Sequence, residues 1–205
     1  MADAFVKLGL SQLDSGEAEA AEASFQSALT IRSACLDTRD ETICQLDFYI
    51  GKCHFEKGDY AQAQIAFENC LQAYELECRP EDEFLATVLD SLASLHHDRD
   101  KHAQAEIYLK RSLFIRLCVM EPFDAAIAES MNHLGWLYSQ TGEYNKAENL
   151  FLSALEIWVA NFGIEHANTA MCLENYAFVL SKTGREPEAE LFLAKVDSIR
   201  AAASK

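Results

Sequence analysis

Hydrophobic positions follow a helical period along the whole chain, in pairs of segments separated by short polar breaks. In the fourth pair, apolar residues recur at steps of three and four on both sides of Thr141-Gly142-Glu143: Ala128, Met131, Leu134, Leu137 and Tyr138 before it, and Ala147, Leu150, Phe151, Ala154, Leu155 and Trp158 after it. This spacing places the apolar side chains on one face of an α-helix. The chain has no sustained alternation of period two and no Asn-Gly hairpin signal, so the pattern predicts an all-α protein.

The same spacing predicts about ten antiparallel helices. Their expected bounds are 2–15, 18–36, 40–57, 60–78, 81–99, 102–120, 123–141, 144–162, 165–183 and 186–203. Pro80 and Pro122 each precede an acidic stretch, as is typical of a helix start, where carboxylates favour the positive end of the helix dipole.

A fixed period of 42 residues relates the helix pairs to one another. Four columns keep this period, one always alanine, one always small, one always large and apolar, and one suited to a turn. They are Ala21, Ala63, Ala105, Ala147 and Ala189; Gly9, Gly51, Ala93, Gly135 and Ala177; Phe25, Phe67, Leu109, Phe151 and Leu193; and Gly16, Gly58, Asp100, Gly142 and Gly184. Repeats of this length are stacked units that bury their apolar faces against their neighbours. The small columns are expected to bring paired helices close together.

The unbroken period predicts one array over residues 1–205 with five repeats, at approximately 1–38, 39–80, 81–122, 123–164 and 165–205. Asp197 replaces the leucine that the other repeats have in its column, which is typical of a terminal helix facing solvent. The start of the chain is consistent with a natural first repeat or with a segment of a longer protein.

Charge and cysteine content limit the classes of partner and compartment. The formal net charge of −16 disfavours nucleic acid and anionic membranes, which require basic residues, and suits a basic partner. The seven cysteines are scattered without a Cys-x-x-Cys pair, and Cys70 falls in a column of small buried residues. Free cysteines at such positions, together with the lack of a secretion signal or a membrane span, predict a cytoplasmic protein.

No catalytic motif is found, so the sequence predicts a protein without enzymatic activity or cofactor. His96, His97 and His102 form a group of possible metal ligands with Cys53 and His54, which lie one repeat earlier and could approach them in an array. Their spacing matches no zinc signature, and His54 and His96 share the column of Tyr138, which is a packing position. We therefore expect no metal site.

The repeat resembles the tetratricopeptide repeat (TPR). The fourth unit has the pattern in full, with Leu134-Gly135-Trp136-Leu137-Tyr138, then Gly142-Glu143-Tyr144, then Ala147 and Phe151. The ordinary TPR period is about 34 residues, and the longer unit here is similar to the kinesin-light-chain type. The resemblance covers essentially the whole chain and implies a right-handed superhelical solenoid of five helix-turn-helix units.

In TPR arrays the first helix of each repeat lines a concave groove that binds peptides or helices. Carried over to this chain, the resemblance implies groove residues that are rich in aromatic rings, side-chain amides and histidines. They are Val6, Leu10 and Leu13 in the first repeat; Phe48, Tyr49, Lys52 and Phe55 in the second; Asp90, Ser91, Ser94 and His97 in the third; Asn132, His133, Trp136 and Gln140 in the fourth; and Glu174, Asn175, Phe178 and Lys182 in the fifth. Phe48, Trp136 and Phe178 are equally consistent with packing between helices.

The resemblance implies an adaptor or scaffold that binds a peptide or helical segment of another protein. The Lys/Asn/Arg clamp of chaperone-binding TPR domains is absent at the matching positions, and the groove has few basic residues. A neutral, apolar or basic segment is therefore expected rather than an acidic one. Two alternatives remain open at this point, a regulatory or sensor module of a larger protein or complex, and a scaffold that self-assembles through its ends.

Overall fold

The computed structural model describes residues 1–34, 40–76 and 82–203, and in these ranges ten α-helices are the only regular elements. The described residues fall into two compact units, Met1–Arg99 and Asp100–Lys205. The division lies in the turn inside the third predicted repeat. The single continuous array expected from the sequence stays a prediction.

The described residues of unit 1 form five helices: α1 (Ala2–Asp14), α2 (Ala18–Ser33), α3 (Glu41–Glu56), α4 (Tyr60–Leu76) and α5 (Glu83–His97). Each helix packs against the next one along the chain, and α3 also contacts α5. This sequential packing is typical of a repeat protein, in which each unit contacts its neighbours.

Unit 2 contains the other five helices: α6 (His102–Val119), α7 (Ala125–Gln140), α8 (Tyr144–Phe162), α9 (Ala167–Lys182) and α10 (Glu186–Ala203). Consecutive helices again pack together, and α7 also contacts α9. The first helices of the fourth and fifth repeats therefore lie side by side, which places their exposed residues on one surface.

Paired helices approach closely at the small columns, as the sequence predicts. All five alanines of the Ala21 column are at most 1% exposed. A Cβ atom placed on Gly135 would lie 2.8 Å from Cε1 of Phe151, and one on Gly9 would lie 2.7 Å from Cε1 of Phe25. The phenylalanine rings therefore occupy the space that a side chain on these glycines would need. Leu193 differs from its column, because it is 40% exposed on the last helix.

The turn column adopts the left-handed conformation that ends a helix. Its glycines have φ values between 75° and 81°, and Asp100 replaces glycine with φ at 57°. Aspartate tolerates this conformation better than most residues do, so the substitution keeps the turn. The predicted helix–turn–helix breaks are confirmed at all five positions.

The cysteine of the small column is buried as expected. Cys70 is 2% exposed, and Cys44, Cys53 and Cys172 are also free and buried. Burial raises the pKa of the Cys172 thiol to about 12 and that of the Cys53 thiol to about 11, so these thiols stay neutral near physiological pH. They serve as small apolar residues of the core.

A capping column, which the sequence analysis did not identify, sets where four of the helices begin. Asp40, Asp82, Asp124 and His166 are spaced by the repeat period, and each accepts a hydrogen bond from the backbone N–H two residues later. The predicted starts of α7 and α9 were two residues too early because the capping residue itself is not helical. Positions 36 and 78, the predicted ends of α2 and α4, and position 81, the predicted start of α5, lie outside the described residues.

Replacing Asp124 by alanine is expected to destabilise the protein by about 1 kcal/mol, because the N–H of Ala126 loses its acceptor, which lies 2.8 Å away. Chemical denaturation measures the change. Glu121→Ala is the matched control, since it removes a carboxylate from the same loop without removing a cap. Equal stability losses in the two variants would contradict the capping role.

Candidate functional site

One column of the 42-residue period lies on the first helix of each pair and holds Leu10, Lys52, Ser94, Trp136 and Phe178. Because α3 contacts α5 and α7 contacts α9, adjacent members of this column lie near each other within each unit. The column is polar in the second and third repeats and aromatic in the fourth and fifth. Unit 2 therefore has the more apolar surface for a ligand.

In unit 2, the aromatic rings of Trp136 and Phe178 form a pair. Their centroids are 5.9 Å apart and the ring planes are inclined by 53°. Trp136 is 37% exposed, and Nζ of Lys182 lies 5.3 Å from the centroid of Phe178. Half-exposed aromatic residues supply large contact area at a low entropy cost. The pair, with the adjacent ammonium group, forms an apolar patch that has a cation at its margin.

Two side-chain amides join α7 and α9 near this patch. Nδ2 of Asn175 donates a hydrogen bond to Oδ1 of Asn132 at 3.0 Å. Asn132 is only 3% exposed, so direct contact with a ligand is not expected of it, which corrects its place in the predicted groove. Its role is to fix the orientation of the Asn175 amide through this hydrogen bond. Asn175 and His133 are partly exposed and Gln140 is exposed, and all three remain candidates.

Glu174 is fixed by a residue that the sequence analysis did not identify. Arg200 of α10 donates two hydrogen bonds to its carboxylate, from Nη1 at 3.2 Å and from Nη2 at 2.6 Å. The carboxylate raises the pKa of Arg200 above its usual range through these hydrogen bonds. Because a neighbouring charge already pairs with Glu174, its attraction for a cationic ligand group is reduced. The partner lies on a second helix, so the first-helix columns could not reveal it.

In unit 1, the structure corrects the place of Phe48. This side chain is 1% exposed, and its ring contacts the rings of Tyr49, Phe67 and Phe84 at centroid distances of 5.1–5.6 Å. It packs between helices, which was the alternative left open for it. Direct contact with a ligand is not expected of Phe48.

The other predicted residues of unit 1 are exposed to different degrees. Tyr49 is partly buried and stacks on Phe25 at a centroid distance of 5.2 Å, and Phe55 packs edge-on against Tyr60 at 5.4 Å. In the first repeat, Leu13 is buried, and Val6 and Leu10 pack against the same core cluster. The remaining predicted groove residues are exposed or partly exposed, namely Lys52, Asp90, Ser91, Ser94 and His97.

Two further expectations, on metal ligands and on membrane spans, bear on the side chains and helices of residues 1–34, 40–76 and 82–203. No group of three or more histidine, cysteine, aspartate or glutamate side chains is arranged to hold a metal ion there. In unit 1, His54 lies near carboxylates, with Nε2 3.7 Å from Glu22 and Nδ1 3.9 Å from Asp59. None of the helices described is long and apolar enough to cross a bilayer.

A family model of the tetratricopeptide repeat matches residues 42–117 and 126–196, and a second TPR model matches residues 2–35. The chain belongs to the tetratricopeptide repeat family. The predicted all-α solenoid of TPR units is thereby confirmed. No curated protein sequence matches the chain.

Several solved TPR structures share the fold. BtubC (BKLC) from P. vanneervenii has a TM-score of 0.84 at 22% identity, covering 96% of this chain and 78% of that one. A Podospora anserina protein of the kinesin light chain type, with nearly identical TPR-like repeats, has a TM-score of 0.81 at 16% identity, covering 98% and 95%. YrrB, described as a TPR protein with an unusual peptide-binding site, has a TM-score of 0.60 at 17% identity, covering 96% and 85%.

Proposed function

We propose that this TPR protein is an adaptor that binds a peptide or helical segment of another protein on the first helices of its repeats. The observation that carries the proposal is the partly exposed pair of Trp136 and Phe178, which lies on two neighbouring first helices at equivalent positions. A peptide-binding site in YrrB, a structural neighbour, supports this use of the fold. The family's general role in protein binding, without catalysis, also supports it.

The ligand surface of unit 2 consists of the aromatic pair together with the exposed or partly exposed polar residues around it: His133, Gln140, Glu174, Asn175 and Lys182. The aromatic pair favours an apolar side chain of the ligand, and the amide of Asn175 is suited to a peptide backbone group. Lys182 places one positive charge beside the pair. The net charge of −16 over the whole chain nevertheless attracts cationic segments and repels acidic ones. We therefore propose a neutral, apolar or basic segment as the ligand.

We propose that a more polar surface of unit 1 also contributes to ligand binding. It comprises Tyr49, Lys52, Phe55, Asp90, Ser94 and His97, without Phe48. Here polar and charged groups outnumber apolar ones, so we expect this surface to add specificity more than affinity. The buried free thiols Cys44, Cys53, Cys70 and Cys172 support a reducing compartment such as the cytoplasm.

Selection from a random peptide library displayed on phage tests the proposal with defined ligands. Peptides enriched on the wild type are expected to bind Trp136→Ala about 10- to 30-fold more weakly, because a central aromatic anchor contributes about 2 kcal/mol. Leu152→Ala is the matched control, since it truncates an exposed apolar side chain on α8. If both variants bind the selected peptides as the wild type does, the aromatic pair is not the ligand site.

A further inference from the structure

A second apolar surface lies in unit 2 where second helices end and the next first helices begin. We name it the loop edge and define it by the side chains of Phe123, Phe162, Ile164 and Met171. All four are large, apolar and at least 40% exposed. Clusters of exposed large apolar residues are unusual on soluble proteins and mark interaction sites. These residues belong to neither the aromatic pair nor the groove column.

One hydrogen bond and one ring contact connect the segments that carry the loop edge. Nδ2 of Asn161 donates to the backbone carbonyl oxygen of Phe123 at 2.7 Å, which ties the end of α8 to the loop before α7. The ring of Phe162 stacks on His166 at a centroid distance of 4.5 Å, and His166 in turn caps α9. The apolar side chains are therefore presented on a fixed framework, which lowers the entropy cost of binding.

A cavity of about 240 Å³ adjoins this surface between the start of α9 and the end of α10. It is lined by Ala167, Ala170, Met171 and Ile199 and by the charged residues Glu165 and Arg200. Its walls are mostly apolar, and the cavity has room for one large side chain of a partner. Pockets of this kind receive the anchor residues that dominate the affinity of an interface.

The charges around the loop edge favour a basic partner. Glu121 and Asp124 flank Phe123 closely in the chain, and Glu165 follows Ile164 directly. The two basic side chains on the α10 side pair with carboxylates, Arg200 with Glu174 at 2.6 Å and Lys195 with Glu165 at 3.8 Å, so Glu121 and Asp124 supply the negative charge that a cationic segment meets. A second copy of this acidic chain and an anionic lipid surface would both be repelled, whereas a cationic segment would be attracted.

The backbone of the loop edge favours a helix over an extended strand as the bound segment. The edge is formed by helix ends, and it offers no strand to which an extended peptide could add main-chain hydrogen bonds. A helix satisfies its own backbone groups and needs only an apolar face for docking. We propose that the loop edge binds an amphipathic helix of a partner protein, with Leu or Phe on its apolar face and Lys or Arg at the margins of that face.

The test uses two synthetic amphipathic helices of about five turns. Both have the same Leu/Phe face, and the margins carry Lys in one and Glu in the other. In fluorescence anisotropy, the Lys peptide is expected to bind the wild type at least about tenfold more tightly than the Glu peptide. The loop-edge variant Phe123→Ser/Ile164→Ser/Met171→Ser is expected to bind the Lys peptide at least about tenfold more weakly than the wild type.

Two further variants distinguish this surface from non-specific attraction and from the groove. Ile107→Ser/Leu152→Ser/Leu191→Ser removes three apolar residues of unit 2 that are 45–73% exposed and lie away from the loop edge, and Trp136→Ala removes the groove anchor. The first of these is expected to bind the Lys peptide as the wild type does. In the Trp136→Ala background, which removes groove binding, the loop-edge substitutions are still expected to weaken binding of the Lys peptide at least about tenfold. Equal binding by the loop-edge variant and the wild type would overturn the proposal, as would equal affinity for the two peptides. A wild-type dimer in sedimentation that the loop-edge variant abolishes would also overturn it, since the occupant would then be a second copy.

Discussion

Replacing Phe151 by alanine is expected to lower the free energy of unfolding by about 3–5 kcal/mol. The ring is fully buried and lies against α7 where Gly135 leaves room for it. The backbone carbonyl oxygen of Phe151 accepts a hydrogen bond from Sγ of Cys172 on α9 at 3.5 Å. Truncation leaves a cavity between helices that cannot collapse without moving α7. Denaturation with urea, followed by circular dichroism, measures the loss.

The matched control comes from the same column. Leu193 occupies the equivalent position on α10, where it is 40% exposed. Leu193→Ala is therefore expected to cost about 1 kcal/mol or less. A similar loss of stability in both variants would contradict this explanation. It would mean that the position in the repeat determines the loss, and not the burial of the side chain by a neighbouring helix.

The effect of Gly135→Ala on the free energy of unfolding is expected to depend on the residue at position 151, and to change sign when Phe151 is replaced by leucine. In the wild type, the added methyl group meets the Phe151 ring and costs about 1–3 kcal/mol, which outweighs a gain of up to about 1 kcal/mol in helix propensity. The columns indicate which second substitution makes room for the methyl group. Repeats that have leucine instead of phenylalanine also have alanine instead of glycine, as in Ala177 and Leu193. In a Phe151→Leu background, Gly135→Ala is therefore expected to be neutral or stabilising.

A double-mutant cycle on these two positions measures the coupling directly. The double variant Gly135→Ala/Phe151→Leu is expected to be more stable than the sum of the two single changes by an interaction free energy of about 1–3 kcal/mol. Additive effects would show that the ring and the glycine do not compete for the same space. Gly142→Ala is a useful comparison, because its added Cβ meets nothing nearby and its cost comes from the positive φ of 81° alone.

Much of the fold follows from the sequence, because the fixed period places equivalent residues at equivalent helix contacts in every repeat. The columns of Ala147 and Gly142 place the helix contact and the turn of each repeat, and the structure has both where they were predicted. The errors at helix starts have one cause, the capping side chain of Asp124 and its equivalents. That column was visible in the sequence at the repeat spacing, but an acidic first turn and a cap give similar patterns.

The candidate site could be predicted only in part, since a period indicates which face a residue lies on but not how deeply its neighbours cover it. Phe48 and Asn132 share one column, and both are buried by groups that come from other helices. Trp136 lies one turn after Asn132 on the same helix face, yet it is 37% exposed. The loop edge was not predicted at all, because its residues come together through loops whose course the helical period does not determine.

The two tryptophans of the chain allow one direct test of the central claim, that the first helices of unit 2 bind a peptide. Trp136 is half-exposed on the proposed surface, whereas Trp158 is 1% exposed in α8. A peptide selected on the wild type is titrated into ¹⁵N-labelled protein, and the two indole N–H resonances are followed by NMR. The account predicts that the Trp136 resonance shifts to saturation while the Trp158 resonance stays in place. An unshifted Trp136 resonance at saturating peptide would contradict the account.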